Sequence, residues 1–336
     1  MLYLNLENPW ITMHTAAVFS SSLTLGTSVR VYQFGNNKAI MTFKTEIRAD
    51  LLLLVTALIW GFAFVFQSMG MDHIGPVTFV FGRFVVSALA ILPIWYLMEK
   101  PKKVFHYQLA DKKALQLGVI MALGMLVQQQ GLLYTTVARA GFLTGVYVVF
   151  VPLLGLLMGT KTEWPTWLGV IFAVFGLYFL SQISADQFVI GDILILISSV
   201  AWALHVIYTG KVANQISVYR LMFLQFVIAA IISGVVMLLT EVWDWNAIRD
   251  AAMSLLFVGV LSSCIGFSLQ AIGMRTAPAS HTALILSFEA VFAAIGGWWL
   301  LNEYLTPIEL VGCGLILIGG LVSQFKVFLK SPNNTV

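Results

Sequence analysis

The sequence predicts an all-α polytopic membrane protein with ten transmembrane helices, arranged as two inverted five-helix repeats. The composition points there first. Of 336 residues, 60% are hydrophobic and 10% charged, whereas a soluble domain averages roughly 45–50% and about 25%. Mean hydropathy is +0.92. Second, ten apolar runs are long enough to cross a bilayer. Third, the chain matches itself at one constant shift, the one that carries Asp50 onto Asp192.

The runs fall at 51–70, 77–98, 114–134, 140–159, 165–182, 190–209, 218–240, 251–274, 279–301 and 307–328, close to the ~17–25 residues a spanning helix needs. Polar or Gly/Pro punctuation divides them: Gly75-Pro76, "EKPKKVFHYQLADKK", "KTEWP", "SADQ", "EVWDWNAIRD" and "NEYLTP". Hydrocarbon offers no partner to a peptide group, so each run closes its own backbone bonds as a helix. The expected organisation is an N-terminal segment 1–45, a first repeat 46–185, a second repeat 186–328 and a tail 329–336.

Basic residues set the direction. With the N-terminus in the cytoplasm, cytoplasmic segments hold fifteen of the 18 Lys and Arg residues; the other side holds Arg139 and Arg249, and Arg83 lies inside a span. The positive-inside rule therefore predicts both termini in the cytoplasm. Residues 1–40 have no basic n-region and too much Ser/Thr for a span, so they are expected to be a disordered tail or to precede a translation start at Met41. Cys264 and Cys313 sit in apolar runs without metal-ligand spacing and read as packing residues.

The same shift carries Trp60 onto Trp202, Gln128 onto Gln270, Gly131 onto Gly273 and Pro165 onto Pro307. Phe81, Phe84 and Val85 fall on Phe223, Phe226 and Val227. Five helices per repeat is an odd number, so the second copy enters the membrane from the other side. Inverted repeats place a solute site near the midplane where the halves meet, and the halves can rock about it.

The stretches "ADLLLLVTALIWGFAFVFQ", "QQQGLLYTTVARAGFLTGVYVVFVPLLG" and "SFEAVFAAIGGWWLLNEYLTPIELVGCGLILIGGLVSQ" resemble the EamA-type transporters of the drug/metabolite transporter superfamily over residues 45 to 328. The resemblance implies a central cavity lined by helices 1–4 and 6–9, peripheral helices 5 and 10, and secondary transport, often efflux, of amino acids or other metabolites across a bacterial inner membrane. The family pattern usually has a proline after the glutamate of helix 9. Ala290 stands there, so a proline kink is not implied.

Glu289 is the charged residue of "LILSFEAVFAAIGGWWLL". At ~1.5 Å per residue it lies ~15 Å deep in a ~30 Å core, where a charge costs at least ~2.5–3.5 kcal/mol and should face the bundle interior. Two readings stay open: a proton-coupling carboxyl, or a structural group paired with Arg83. Arg83 is ~9 Å deep from the other side, ~6 Å from Glu289 along the normal, within an arginine's reach. Arg83 can instead hold a substrate carboxylate or snorkel to the interface. The shift aligns Glu289 with Tyr147 and Arg83 with Gln225. Arg139 and His281 also align and read as interface anchors, while Asp50 and Asp192 read as helix N-caps.

Trp60, Phe64 and Gln67 share one face of helix 1, as do Trp202, His205 and Thr209 on helix 6. Gln128 and Gln130 lie in helix 3 and Gln270 in helix 8. An aromatic-and-amide cavity suits a small amphipathic metabolite, although each such aromatic has lipid contact or packing as its plain alternative. Gly155/Gly159, Gly169/Gly176 and Gly312/Gly319 are expected to let helices approach closely.

"GLLMGTKT" fails phosphate-loop spacing and follows a span rather than a strand, and no HExxH or GxSxG motif occurs. With the transport class implied by the resemblance, the reading is a secondary transporter, an exporter of small metabolites such as amino acids, with the proton as a candidate coupling ion. The rivals are a membrane-embedded enzyme acting on a lipid or isoprenoid, and a passive channel or sensor. No cofactor, metal or nucleic acid is expected. The expected partners are a small-molecule substrate and the bilayer, with a homodimer as one possible assembly.

Overall fold

The computed structural model describes residues 29–34, 37–99, 109–181 and 189–329. The chain divides into a small unit, Met1–Ile47, and a large one, Arg48–Asn334. In the small unit, β1 (Val29–Phe34) and β2 (Asn37–Thr42) form an antiparallel hairpin with Val29 opposite Thr42. Most of the N-terminal leader and the C-terminal tail, with the expectations placed on them, lie outside the described residues.

Among the described residues, eight helices are long and apolar enough to cross a membrane. They are span 1 (Glu46–Met71), span 2 (Pro76–Glu99), span 3 (Asp111–Leu132), span 4 (Val137–Leu157), span 6 (Ile190–Val212), span 7 (Val218–Thr240), span 8 (Ala252–Gly273) and span 9 (Ala279–Leu300). Two shorter apolar helices, Trp164–Phe179 and Pro307–Val322, are spans 5 and 10 and complete the ten-helix fold. The helix of span 1 extends back to Phe43, so Asp50 lies inside it rather than at its N-cap. Asp192 is not an N-cap either: Val189 holds that position, and Asp192, the third residue of the helix of span 6, accepts the Val189 N–H.

Short connectors make successive spans antiparallel. One face, here the basic face, gathers Lys112, Lys113, Lys161, Lys211 and Arg275, and hydrogen bonds such as Lys113 to Gln215 and Asn214 to Arg275 join its span ends. The other is the opposite face.

The sequence repeat is visible as a pseudo-twofold in the packing. Phe84 stacks on its image Phe226 with ring centroids 6.2 Å apart, so the axis runs between spans 2 and 7. Gly131 lies against Gly191 and Ile195, and its image Gly273 against Ala49 and Leu53. Gly124 faces Trp202 as Gly266 faces Trp60. Spans 5 and 10 pack back to back: a Cβ at Gly176 would stand 2.6 Å from the Gly312 carbonyl, and one at Gly319 2.6 Å from that of Gly169. These two pairs are close-approach glycines as expected. Gly159 is not. It has φ +78° at the end of span 4, with nothing within 4 Å of an added Cβ, and serves as a left-handed helix terminator.

Three spans are irregular where they approach the axis. Span 4 breaks at Val146, between Val137–Gly145 and Tyr147–Leu157. Span 9 breaks at the image position, between Ala279–Leu286 and Glu289–Leu300. No proline is needed: Phe288 N–H bonds to Ile285 O (3.2 Å) and Ala290 N–H to Ser287 O (3.2 Å), a tightened turn of i to i+3 bonds. In span 8, Phe257–Phe267 winds as a π-helix.

Polar contacts tie the repeats together at both faces. On the basic face Arg220 grips Asp111 with two bonds of 2.9 and 2.6 Å, and His281 contacts Asp50 at 2.9 Å. On the opposite face Arg139 pairs with Asp192 at 2.5 Å, the twofold image of His281–Asp50. Arg139 and His281 are thus cross-repeat partners rather than simple interface anchors. Glu241 accepts from Val77 N, Thr78 N and Thr78 Oγ1 at the start of span 2, and Glu303 from Val137 N and Ala138 N at the start of span 4.

Candidate functional site

A cavity lies on the pseudo-axis, lined by spans 1, 2, 3, 4, 6, 8 and 9. Ten of its fifteen lining residues are five twofold pairs: Trp60/Trp202, Phe64/Val206, Met125/Phe267, Gln128/Gln270 and Tyr147/Glu289. Helical spacing explains the wall. Trp60, Phe64 and Gln67 follow one face of span 1, and Trp202 and Val206 the image face of span 6. Spans 5 and 10 contribute nothing to it, as the resemblance implies, but neither does span 7, which the resemblance placed in the wall.

The irregular turns place the polar groups. The breaks in spans 4 and 9 immediately precede Tyr147 and Glu289, which lie beside each other. Gly61 holds span 1 against this turn, since a Cβ there would come within 2.7 Å of the Glu289 carbonyl oxygen. The π-helix of span 8 turns Ser262 and Ser263 toward span 2. Arg83 donates to Ser263 Oγ at 3.2 and 3.0 Å, to Gln67 Oε1 at 3.0 Å and to Ser262 Oγ at 3.4 Å. The Trp60 indole N–H closes on the Ser262 carbonyl at 3.0 Å. Gln128 donates to Thr144 at 2.8 Å.

Arg83 is 1% exposed and Glu289 2% exposed, so neither reaches the surface and the snorkelling alternative for Arg83 does not hold. Nor do they form an ion pair: the bonds of Arg83 go to neutral groups, and Glu289 Oε1 has no hydrogen-bond partner. Both side-chain polar atoms of Gln270 are likewise without one. The cavity thus presents a cation held by neutral acceptors with no acidic partner, together with a carboxyl oxygen and an amide that make no hydrogen bond, on aromatic walls.

Of the candidates read from the sequence, Trp60, Phe64, Gln67, Arg83, Tyr147, Trp202, Gln270 and Glu289 line this cavity. Gln130 does not; Gln128, two residues earlier, takes the place facing Gln270. His205 and Gln225 bond to each other at 2.7 Å beyond the cavity wall. Met125, Thr144, Ser262 and Phe267 line the cavity without standing out in the sequence. Carrying Phe267 back by the repeat gives Met125, but Ser262 depends on the π-helix, which leaves no periodic signal.

An inverted-repeat bundle with a midplane polar cavity defines a membrane transporter. The chain belongs to the EamA-like transporter family, whose profile matches residues 47–182 and 189–324, two segments related by the same shift that carries Asp50 onto Asp192. Among its relatives, an uncharacterized transporter of Archaeoglobus fulgidus is 30% identical over 284 residues, 84% of this chain and 87% of that protein. The Bacillus subtilis uncharacterized transporter YoaV is 22% identical over 83% of this chain and 97% of its own length. The threonine/homoserine exporter RhtA of Escherichia coli K12 is 29% identical over 168 residues, 48% of this chain and 55% of that protein. A crystal structure with 15% sequence identity shares the fold at a TM-score of 0.69, covering 84% of this chain and 99% of its own.

Proposed function

We propose that this transporter is a secondary exporter of small zwitterionic metabolites of the amino-acid kind, working by alternating access in a cell inner membrane, with its basic face and both termini in the cytoplasm. The observation that carries this is the pair of unmatched charges in one cavity: Arg83 without an acidic partner and Glu289 without a basic one. A guanidinium fork suits a carboxylate, and a carboxyl suits an ammonium group or a proton. Trp60, Trp202 and Phe64 bound the space for a small side chain. The similarity to RhtA supports amino acids and export, and makes threonine and homoserine the first solutes to test. The excess of Lys and Arg on the basic face supports the orientation.

Glu289 is the proposed coupling group: a proton on it and an ammonium against it exclude one another, which links outward solute movement to inward proton movement. The test is uptake of labelled threonine into proteoliposomes with and without an imposed pH gradient. Wild type should accumulate solute under the gradient, and Glu289→Gln should retain downhill exchange while losing accumulation. Loss of all transport together with a lowered melting temperature would make Glu289 a structural group instead.

A further inference from the structure

Beyond the cavity wall the described residues hold a second set of buried polar atoms without partners. His205 Nδ1, Thr209 Oγ1 and the Gln225 amide nitrogen make no hydrogen bond, and all three residues are 0% exposed. His205 and Gln225 are joined through Nε2 and Oε1 at 2.7 Å, and Thr209 lies one helical turn further along span 6 on the face of His205. The His205 ring sits 5.8 Å from Trp202 and 5.5 Å from Phe267, both cavity residues, so the cluster starts where the cavity stops. Native proteins seldom leave buried donors and acceptors unmet, and several together mark a place for a polar occupant.

The twofold indicates which occupant. Gln225 is the image of Arg83, Thr209 of Gln67 and His205 of Ala63, and those three images line the cavity on its opposite-face side. We propose that His205, Thr209 and Gln225 form a second subsite for the transported solute, reached from the basic face and taking an uncharged hydrogen-bonding group such as a hydroxyl or amide. It is the counterpart of the Arg83–Gln67 subsite with the fixed charge removed. A solute entering from the basic face therefore meets a neutral station before the guanidinium. This rests on the transport reading above.

The test uses the full chain in membrane vesicles, with Cys264→Ala and Cys313→Ala to remove the two native thiols. Thr209→Cys, close to isosteric, is exposed to a membrane-impermeant cationic methanethiosulfonate from one face at a time, with Gln67→Cys as its image. Modification of Thr209→Cys from the basic face alone, slowed by threonine, and of Gln67→Cys from the opposite face alone is the expected result. An unreactive Thr209→Cys in a protein that still transports threonine overturns the subsite and leaves the transport reading standing. A protein that moves no amino acid and reacts at neither position overturns both. Independently, Gln225→Leu should raise the half-saturating threonine concentration about threefold to tenfold from the basic face, the effect of one lost hydrogen bond, and leave the opposite face unchanged. An equal shift from both faces would make Gln225 structural and sink the proposal.

Discussion

At the scale of single residues, the arrangement around Arg83 decides what the cavity can recognise. Its guanidinium is held by Ser262, Ser263 and Gln67, which orient the fork without neutralising it. Arg83→Lys keeps the charge and loses the planar fork. The apparent KM for an amino acid should then rise about tenfold, with a smaller rise for the corresponding amine that lacks a carboxylate. Equal effects on both solutes in the proteoliposome assay would remove the carboxylate from the contact. The depth argument from the sequence put Arg83 and Glu289 within reach of each other, and depth is all that spacing along two helices can give. Whether they pair depends on which way each helix is rotated and on who competes for the guanidinium. The serines of span 8 compete successfully because the π-helix turns them toward it.

At the scale of helices, close backbone approach fixes the turn that carries the carboxyl. A side chain at Gly61 would collide with Phe292, Ala293 and the Glu289 carbonyl, whereas one at Gly314 meets nothing within 4 Å. Gly61→Val should therefore destabilise the protein by roughly 1–3 kcal/mol, the usual cost of overpacking, and Gly314→Ala should be close to neutral. Thermal unfolding in detergent, read by intrinsic fluorescence, compares the two. The spans themselves were legible because apolar length and charge punctuation act locally. The breaks in spans 4 and 9 were not. Around Phe288 the sequence has neither glycine nor proline, and beside Val146 only Gly145, one glycine among many in the spans; the turns tighten where the helices meet the axis and each other.

At the scale of the whole molecule, the repeats are held together by polar contacts that differ between the faces. Arg220 and Asp111 are a buried, doubly bonded pair, 9% and 3% exposed. Arg220→Ala takes the cation away from a buried carboxylate and should cost about 3–5 kcal/mol, while replacing both partners with leucine should cost much less. Urea unfolding of the three proteins in mixed micelles checks this, and similar losses in the single and double variants would show that the pair is not coupled. On the opposite face, Glu241 and Glu303 cap the starts of spans 2 and 4; their images are Glu99, which accepts from Trp95 on its own helix, and Lys161, which cannot cap a helix start. The two faces are therefore closed by different chemistry on one symmetric frame.

The sequence by itself determined the bilayer as solvent, the spans, the register of the internal repeat and the midplane carboxyl, because hydrophobic length, charge placement and self-similarity are properties of the chain read in order. Tertiary structure alone decided that Arg83 and Glu289 stand unpaired in one cavity, that Gln128 rather than Gln130 faces it, and that His205 and Gln225 lie just outside it. Those outcomes depend on helix rotation and on irregular turns at the pseudo-axis. They are set by contacts between residues far apart in the chain, such as Arg83 with Ser263 and Gly61 with Phe292, which no local pattern encodes.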